Sequence, residues 1–232
     1  MSLVIGVDEA GYGPNLGPLV ITATVWEVPG DPREFDFWRT LRRVLSNKPV
    51  RAGRAKVTAN GAGEAAVSRR PATRLHVADS KQVYSPNRGL GPLETSVLSL
   101  LGCQASPATL ADLWRYLCPH VTAAECTEPW FDGEGLSLSL PLAADGGEVA
   151  VFVDRLQQQF AEAGVTLGCV ASDIVLTERF NGLTETLGGK GAALSRSTLE
   201  LLRRVWDPDR DGPAVVFADK HGGRSHYQGL LA

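Results

Sequence analysis

The chain has 232 residues, 44% of them hydrophobic, and a net charge of −3, enough for a sizeable core in one large domain or a domain with insertions. No apolar run approaches the roughly 20 residues that span a bilayer, and Met1 to Asp8 lacks the basic-then-apolar layout of a signal peptide. A cytoplasmic protein with no membrane contact is expected. Cys103, Cys118, Cys126 and Cys169 form no CxxC pair, which disfavours a zinc ribbon; reduced, mostly buried thiols are expected.

Leu3-Val4-Ile5-Gly6-Val7 is a short β-branched run that reads as a buried strand ending at Asp8 and Glu9. Gly11, Gly13, Pro14, Gly17 and Pro18 punctuate a tight loop, and Leu19 to Trp26 reads as a second strand, antiparallel to the first. Phe35 to Leu45 predicts a helix with Arg39, Arg42 and Arg43 on one face. Residues 47–72 show no clear period and are expected to be partly mobile. Residues 33–74 hold eleven of the 23 Lys and Arg against Glu34, Asp36 and Glu64, a local charge of about +8. Such a segment suits nucleic acid, because counterion release is local.

Leu75 to Ala78 predicts a short strand leading into Asp79-Ser80-Lys81, and Ser85-Pro86 a cap for a helix through about Leu101. Residues 103–150 carry several acids and Arg115 as their one Lys or Arg; they read as an inserted subdomain or a helix plus hairpin. Ala150 to Ala163 predicts a helix and Val165 to Leu176 a strand. Gly188-Gly189-Lys190-Gly191 lacks the spacing of a phosphate loop and reads as a helix-entry turn. Ser195 to Trp206 predicts an amphipathic helix. Ala214 to Ala218 predicts a last strand, ending at Asp219 and followed by a polar stretch, His221 to Tyr227, that suits either phosphate contact or solvent. Alternating helices and strands imply an α/β sheet.

Two apolar strands thus run directly into carboxylates. Ligands of open α/β sheets collect beyond the carboxyl ends of strands. If the strands are neighbours, Asp8 and Asp219 repel unless a hard divalent cation such as Mg2+ or Mn2+ lies between them. On spacing alone, two acids that merely cap loops are the favoured reading.

Val4 to Pro14, with Asp8-Glu9-Ala10-Gly11-Tyr12-Gly13-Pro14, followed by Leu16-Gly17-Pro18-Leu19-Val20, resembles the opening motif of the ribonuclease HII (type 2 ribonuclease H) family. His76-Val77-Ala78-Asp79-Ser80-Lys81-Gln82, with Ser85 and Arg88, resembles that family's Asp-Ser-Lys block. Phe217-Ala218-Asp219 resembles the strand carrying its third acid. The resemblance covers about a third of the chain and marks a divergent member. It implies a ribonuclease H-like mixed sheet flanked by helices, in one domain over residues 1–232, with insertions at about 27–74 (basic) and 103–150 (acidic). It implies metal-dependent, two-metal endonucleolytic cleavage in RNA/DNA hybrids or at embedded ribonucleotides. Asp8, Glu9 and Asp219 would be the catalytic metal ligands. Gly11, Tyr12 and Gly13 would approach the ribose 2′-hydroxyl, and Ser80 and Lys81 the substrate backbone. Tyr12 stands where the family has arginine. The family's fourth acid has no counterpart up to Ala232, so a truncated form of a longer protein is expected. Two alternatives remain open: a nucleic-acid-binding relative with impaired catalysis, and another nuclease of the same superfamily.

Overall fold

The computed structural model describes residues 2–10, 17–50, 72–120 and 135–220, and the backbone course of 56–59 and 65–68. The chain divides into two compact units. The first comprises Met1–Phe35, Pro107–Leu140 and Gly164–Ala232; the second, Asp36–Ser106 and Pro141–Ala163. The division runs through both stretches expected as insertions.

The first unit is built on a four-stranded mixed sheet. Strands β1 (Ser2–Ala10) and β2 (Leu19–Val28) form the expected antiparallel pair, with Ile5 opposite Val25 and Asp8 opposite Thr22. The remaining strands come from much later in the chain: β7 (Thr166–Val175) pairs antiparallel with β2, and β8 (Ala214–Ala218) pairs parallel with β1. The order is β7-β2-β1-β8.

Strand alternation gives this sheet two different faces. Ile5, Val7, Leu19, Ile21, Ala23, Val25 and Val175 point to one face. There they meet Leu194 and Leu201 of helix α7 (Lys190–Val205) and partly buried Phe180 and Leu183 of α6 (Thr177–Leu187). On the other, Ile174 and Val20 meet Trp114 and Cys118 at α4 (Leu110–Leu117) and Leu136 of a 3-10 turn, Gly135–Ser137. Helix α4 starts on a reciprocal cap in which the Thr109 hydroxyl takes the Asp112 N–H and Asp112 takes the Thr109 N–H. Helices α6 and α7 are separated by Gly188, at φ 75°, and Gly189, the helix-entry turn expected there. A short helix α8 (Pro208–Asp211) precedes β8. Trp114 is buried and Trp206 partly buried in these two core clusters.

In the second unit, α3 (Gly91–Leu101) contacts α5 (Gly146–Ala163). Helix α5 buries Phe152, Leu156 and Phe160, one stripe at fourfold spacing. The helices meet closely at Gly102, where an added Cβ would lie 2.5 Å from Val153 Cγ2 and 2.9 Å from the Leu98 carbonyl oxygen. A parallel pair, β3 (Leu45–Ser46) with β6 (Leu75–His76), contacts α3 through β6, and β4 (Lys56–Ala59) pairs antiparallel with β5 (Ala65–Ser68). Two helix expectations are corrected in this unit. The helix expected over Phe35–Leu45 is only α1 (Phe37–Thr40), because the chain turns at Leu41 and the carbonyls of Val44 and Ser46 accept from Leu75 and Val77 instead. The helix expected from Ser85 begins at Gly91. Ser85 instead closes a turn that takes the N–H groups of Arg88 and Gly89, and Gly89 has φ 64°. A one-turn helix α2 (Ser80–Val83) lies ahead of that turn.

One buried carboxylate staples this unit. Glu94 of α3, 8% exposed, accepts from the N–H groups of Leu142 and Ala143 at 2.6 Å and Ala144 at 2.8 Å. Burial pushes its carboxyl up, but the three N–H donors outweigh burial and hold it below the ordinary glutamate range. Glu94→Gln should cost about 1.5–3 kcal/mol, the range for a hydrogen-bonded charge, because the amide NH2 would face an N–H. The stabilisation is present above the unfolded pKa and lost as pH falls through the depressed folded one. Chemical unfolding at pH 7 and pH 3 checks both points: the variant's deficit should shrink in acid.

Candidate functional site at the carboxyl ends of β1 and β8

The parallel register pairs Val7 with Ala218 as its last rung. One step further, Asp8, still within β1, lies beside Asp219, the first residue after β8. Asp8 and Asp219 are exposed and Glu9 is partly buried. Strand alternation sends Asp8 toward the α4 face and Glu9 toward the α7 face. The Asp8 carboxylate accepts the Glu9 N–H at 2.9 Å. Burial pushes the Glu9 carboxyl above its ordinary value, and the charges of Asp8 and Asp219 push it further. The Glu9 carboxyl thus senses both neighbouring acids, and among the described residues none of the three forms a salt bridge. Among the described residues, no group of three His, Cys, Asp or Glu is drawn close enough to hold a metal ion. The three acids are neighbours at a sheet end rather than a closed cage. Their hard oxygen donors suit Mg2+ or Mn2+.

The same row of the sheet holds residues that sequence reading missed. Asp8 lies opposite Thr22, and Thr22 opposite Ser172, so all three side chains share a face. The Thr22 and Ser172 hydroxyls are 2.8 Å apart, and the Cys118 thiol donates to the Ser172 carbonyl at 3.1 Å. Burial, then the Asp173 charge, push that thiol up to about 12, so it stays protonated. Pairing register alone could have revealed this row, and register is not written in any one strand.

Asp173, fully buried on the α7 face of β7, is a second missed residue. Arg179 grips both its oxygens at 2.8 and 3.0 Å, His120 Nε2 lies 3.4 Å away and Arg204 3.7 Å. Burial pushes the Asp173 carboxyl up, but these partners outweigh it and hold the carboxyl low.

Of the other expected site residues, Gly11, Tyr12 and Gly13 lie outside the described residues, as do Cys126 and His221 to Tyr227. Ser80 and Lys81 belong to the second unit, exposed in the first turn of α2, where the Asp79 side chain accepts the Lys81 N–H at 2.8 Å. Arg33, Arg39, Arg42, Arg43, Lys48 and Arg74 of the basic segment are all exposed. No helix among the described residues is long and apolar enough to cross a membrane.

These features define a mixed α/β protein with acids gathered at one end of its sheet. Compared with protein-family models, curated proteins and solved structures, the chain matches none.

Proposed function

We propose that Asp8, Glu9 and Asp219 form the divalent-metal site of a ribonuclease H-like endonuclease that cleaves RNA in RNA/DNA hybrids or at embedded ribonucleotides. The parallel β1–β8 register carries this reading, because it sets Asp8 beside Asp219 while Glu9 feels both charges. The sequence resemblance to ribonuclease HII supplies the substrate class. A bound Mg2+ or Mn2+ would stabilise charge on the scissile phosphate and supply an activated water. The protein's part is to hold three negative oxygens at an exposed sheet end, where an elongated polyanion has access. Asp8 is fixed through the Glu9 N–H. A bound cation would offset the burial and the two neighbouring charges that raise the Glu9 carboxyl, and so favour its charged form. The exposed cations of the basic segment would neutralise phosphates along the duplex and give binding a steep salt dependence.

A second reading, a nucleic-acid-binding relative with impaired catalysis, is favoured by Tyr12 at the family's arginine position. A duplex with one embedded ribonucleotide, incubated with Mg2+ or Mn2+, separates the two. The first reading expects a cut at that ribonucleotide, leaving a 3′-hydroxyl and a 5′-phosphate, and no cut in the all-DNA duplex. Tight binding without a cut under either metal supports the second. Cleavage of branched DNA alone would point to another nuclease of the superfamily.

A further inference from the structure

The second unit contains a cavity of about 400 Å3 that takes no part in the proposed metal site. Its size falls in the range of small-molecule sites. Buried Leu75 and Phe152 supply apolar lining. Charges of both signs line the same space: Arg74 and Arg88 on one element set, Asp145 and Glu148 at the start of α5. Among the described residues, neither arginine forms an ion pair with either acid.

Two of these charges are held in place. Arg88 donates through Nε to the Ser85 hydroxyl at 3.1 Å and through Nη2 to the Gln82 carbonyl at 2.9 Å. Asp145 accepts the Glu148 N–H at 2.9 Å. His76 adds an independent observation. It lines the cavity, and its Nε2 is buried with no hydrogen-bond partner among the described residues. A buried polar atom without a partner costs free energy that a bound ligand recovers. Burial, then the Arg88 charge, lower the His76 pKa, so the ring is neutral at pH 7 and offers one donor and one acceptor.

Opposite charges fixed in one cavity without neutralising each other complement a ligand that carries both kinds of group. We propose that this cavity binds a small molecule bearing an anionic group, held by Arg74 and Arg88, and an amino group, held by Asp145 and Glu148, with a polar atom against His76 Nε2. Two sources present that chemistry: a mononucleotide with an amino-bearing base, and a free amino acid with a basic side chain.

Calorimetric titration of the full chain in EDTA, so that no metal holds phosphate, tests this. The probes are adenosine 5′-monophosphate, L-arginine and inorganic phosphate. Either organic probe should bind at least roughly tenfold more tightly than phosphate, and Arg74→Gln and Glu148→Gln should each weaken that binding about tenfold. Whichever probe binds identifies the source. Arg74 is exposed and Glu148 partly so; both variants should fold, which circular dichroism checks. Inosine 5′-monophosphate, lacking the amino group, repeats the nucleotide test without a mutation. Neither organic probe surpassing phosphate, inosine monophosphate equalling adenosine monophosphate where the latter is the probe that binds, or affinities unmoved by both substitutions would each overturn the proposal. Asp8→Asn should leave this binding unchanged, so its success or failure is separable from that of the nuclease reading.

Discussion

Asp8→Asn is expected to abolish metal-dependent cleavage while making the metal-free protein more stable. The first effect should be large. Losing a carboxylate from the proposed metal site would forfeit several kcal/mol of charge stabilisation in the transition state, roughly 10³-fold or more in rate. The second follows from electrostatics already present. The Glu9 carboxyl is pushed up by burial, then by Asp8 and Asp219. An acid whose folded pKa is raised favours the fold at low pH and loses that contribution as pH rises through the folded pKa. Removing the Asp8 charge relieves part of this. The metal-free variant should therefore unfold at a higher temperature than the wild type at neutral pH, and the gap should close in acid as Glu9 protonates.

Manganese should reverse the order. A cation that binds only the folded state stabilises it by an amount that grows with the ratio of its concentration to Kd. The wild type should gain and Asp8→Asn should not. Thermal unfolding of both proteins at pH 5 and pH 7.5, with and without Mn2+, gives four comparisons. A variant that is inactive, but less stable than wild type without metal and equally stabilised by Mn2+, would show Asp8 to be a structural cap.

The sheet's central pair was readable because its signals are local. Leu3–Val7 and Leu19–Trp26 are β-branched runs separated by glycine and proline, and their pairing is the shortest connection available. The position of β8 beside β1 was suggested by two strands ending alike in acids, and the observed parallel register agrees. What stayed hidden depends on distant pairing. The carbonyls of Val44 and Ser46 are claimed by a strand about 30 residues later, so the helical pattern before them is cut short at Leu41. The Thr22–Ser172 hydroxyl pair spans 150 residues of sequence. Asp173 sits in Ala171-Ser172-Asp173-Ile174-Val175, where nothing in the strand marks it as buried; its partners arrive from α6, α7 and the segment after α4. Glu94 is similar, since its three donors lie 48 to 50 residues away.

Asp173→Ala is expected to give the largest loss of stability of any single substitution proposed for this protein. Asp173 is fully buried and carries a bidentate bond from Arg179, with Arg204 and His120 beside it. Deleting one partner of a buried charge pair costs about 3–5 kcal/mol, because the remaining charge is stranded. Here the lower end is expected. Arg179 is 35% exposed and keeps Glu200 at 3.3 Å, and Arg204 is 39% exposed, so both guanidinium groups can reach water. Asp173→Asn, which keeps one acceptor for Arg179, should lose less. Urea unfolding followed by tryptophan fluorescence measures the loss in the right unit, since Trp26, Trp114 and Trp206 all lie in the first and Trp38 in the second. The pH dependence carries its own sign. The folded carboxyl is held low, so its contribution exists above the unfolded pKa and disappears as pH falls through the folded one. Wild type and Asp173→Ala should therefore converge in acid. Across the sheet, Glu9 pairs with Ile21 and Ile21 with Asp173, which puts Asp173 two strand spacings, roughly 10 Å, from Glu9. That distance is too long for Asp173 to share a metal ion with Glu9. Metal-dependent cleavage per folded molecule should accordingly survive Asp173→Ala within a few fold at a temperature where the variant remains folded. Full loss of activity in the folded variant would instead make the Asp173–Arg179 pair part of the working site.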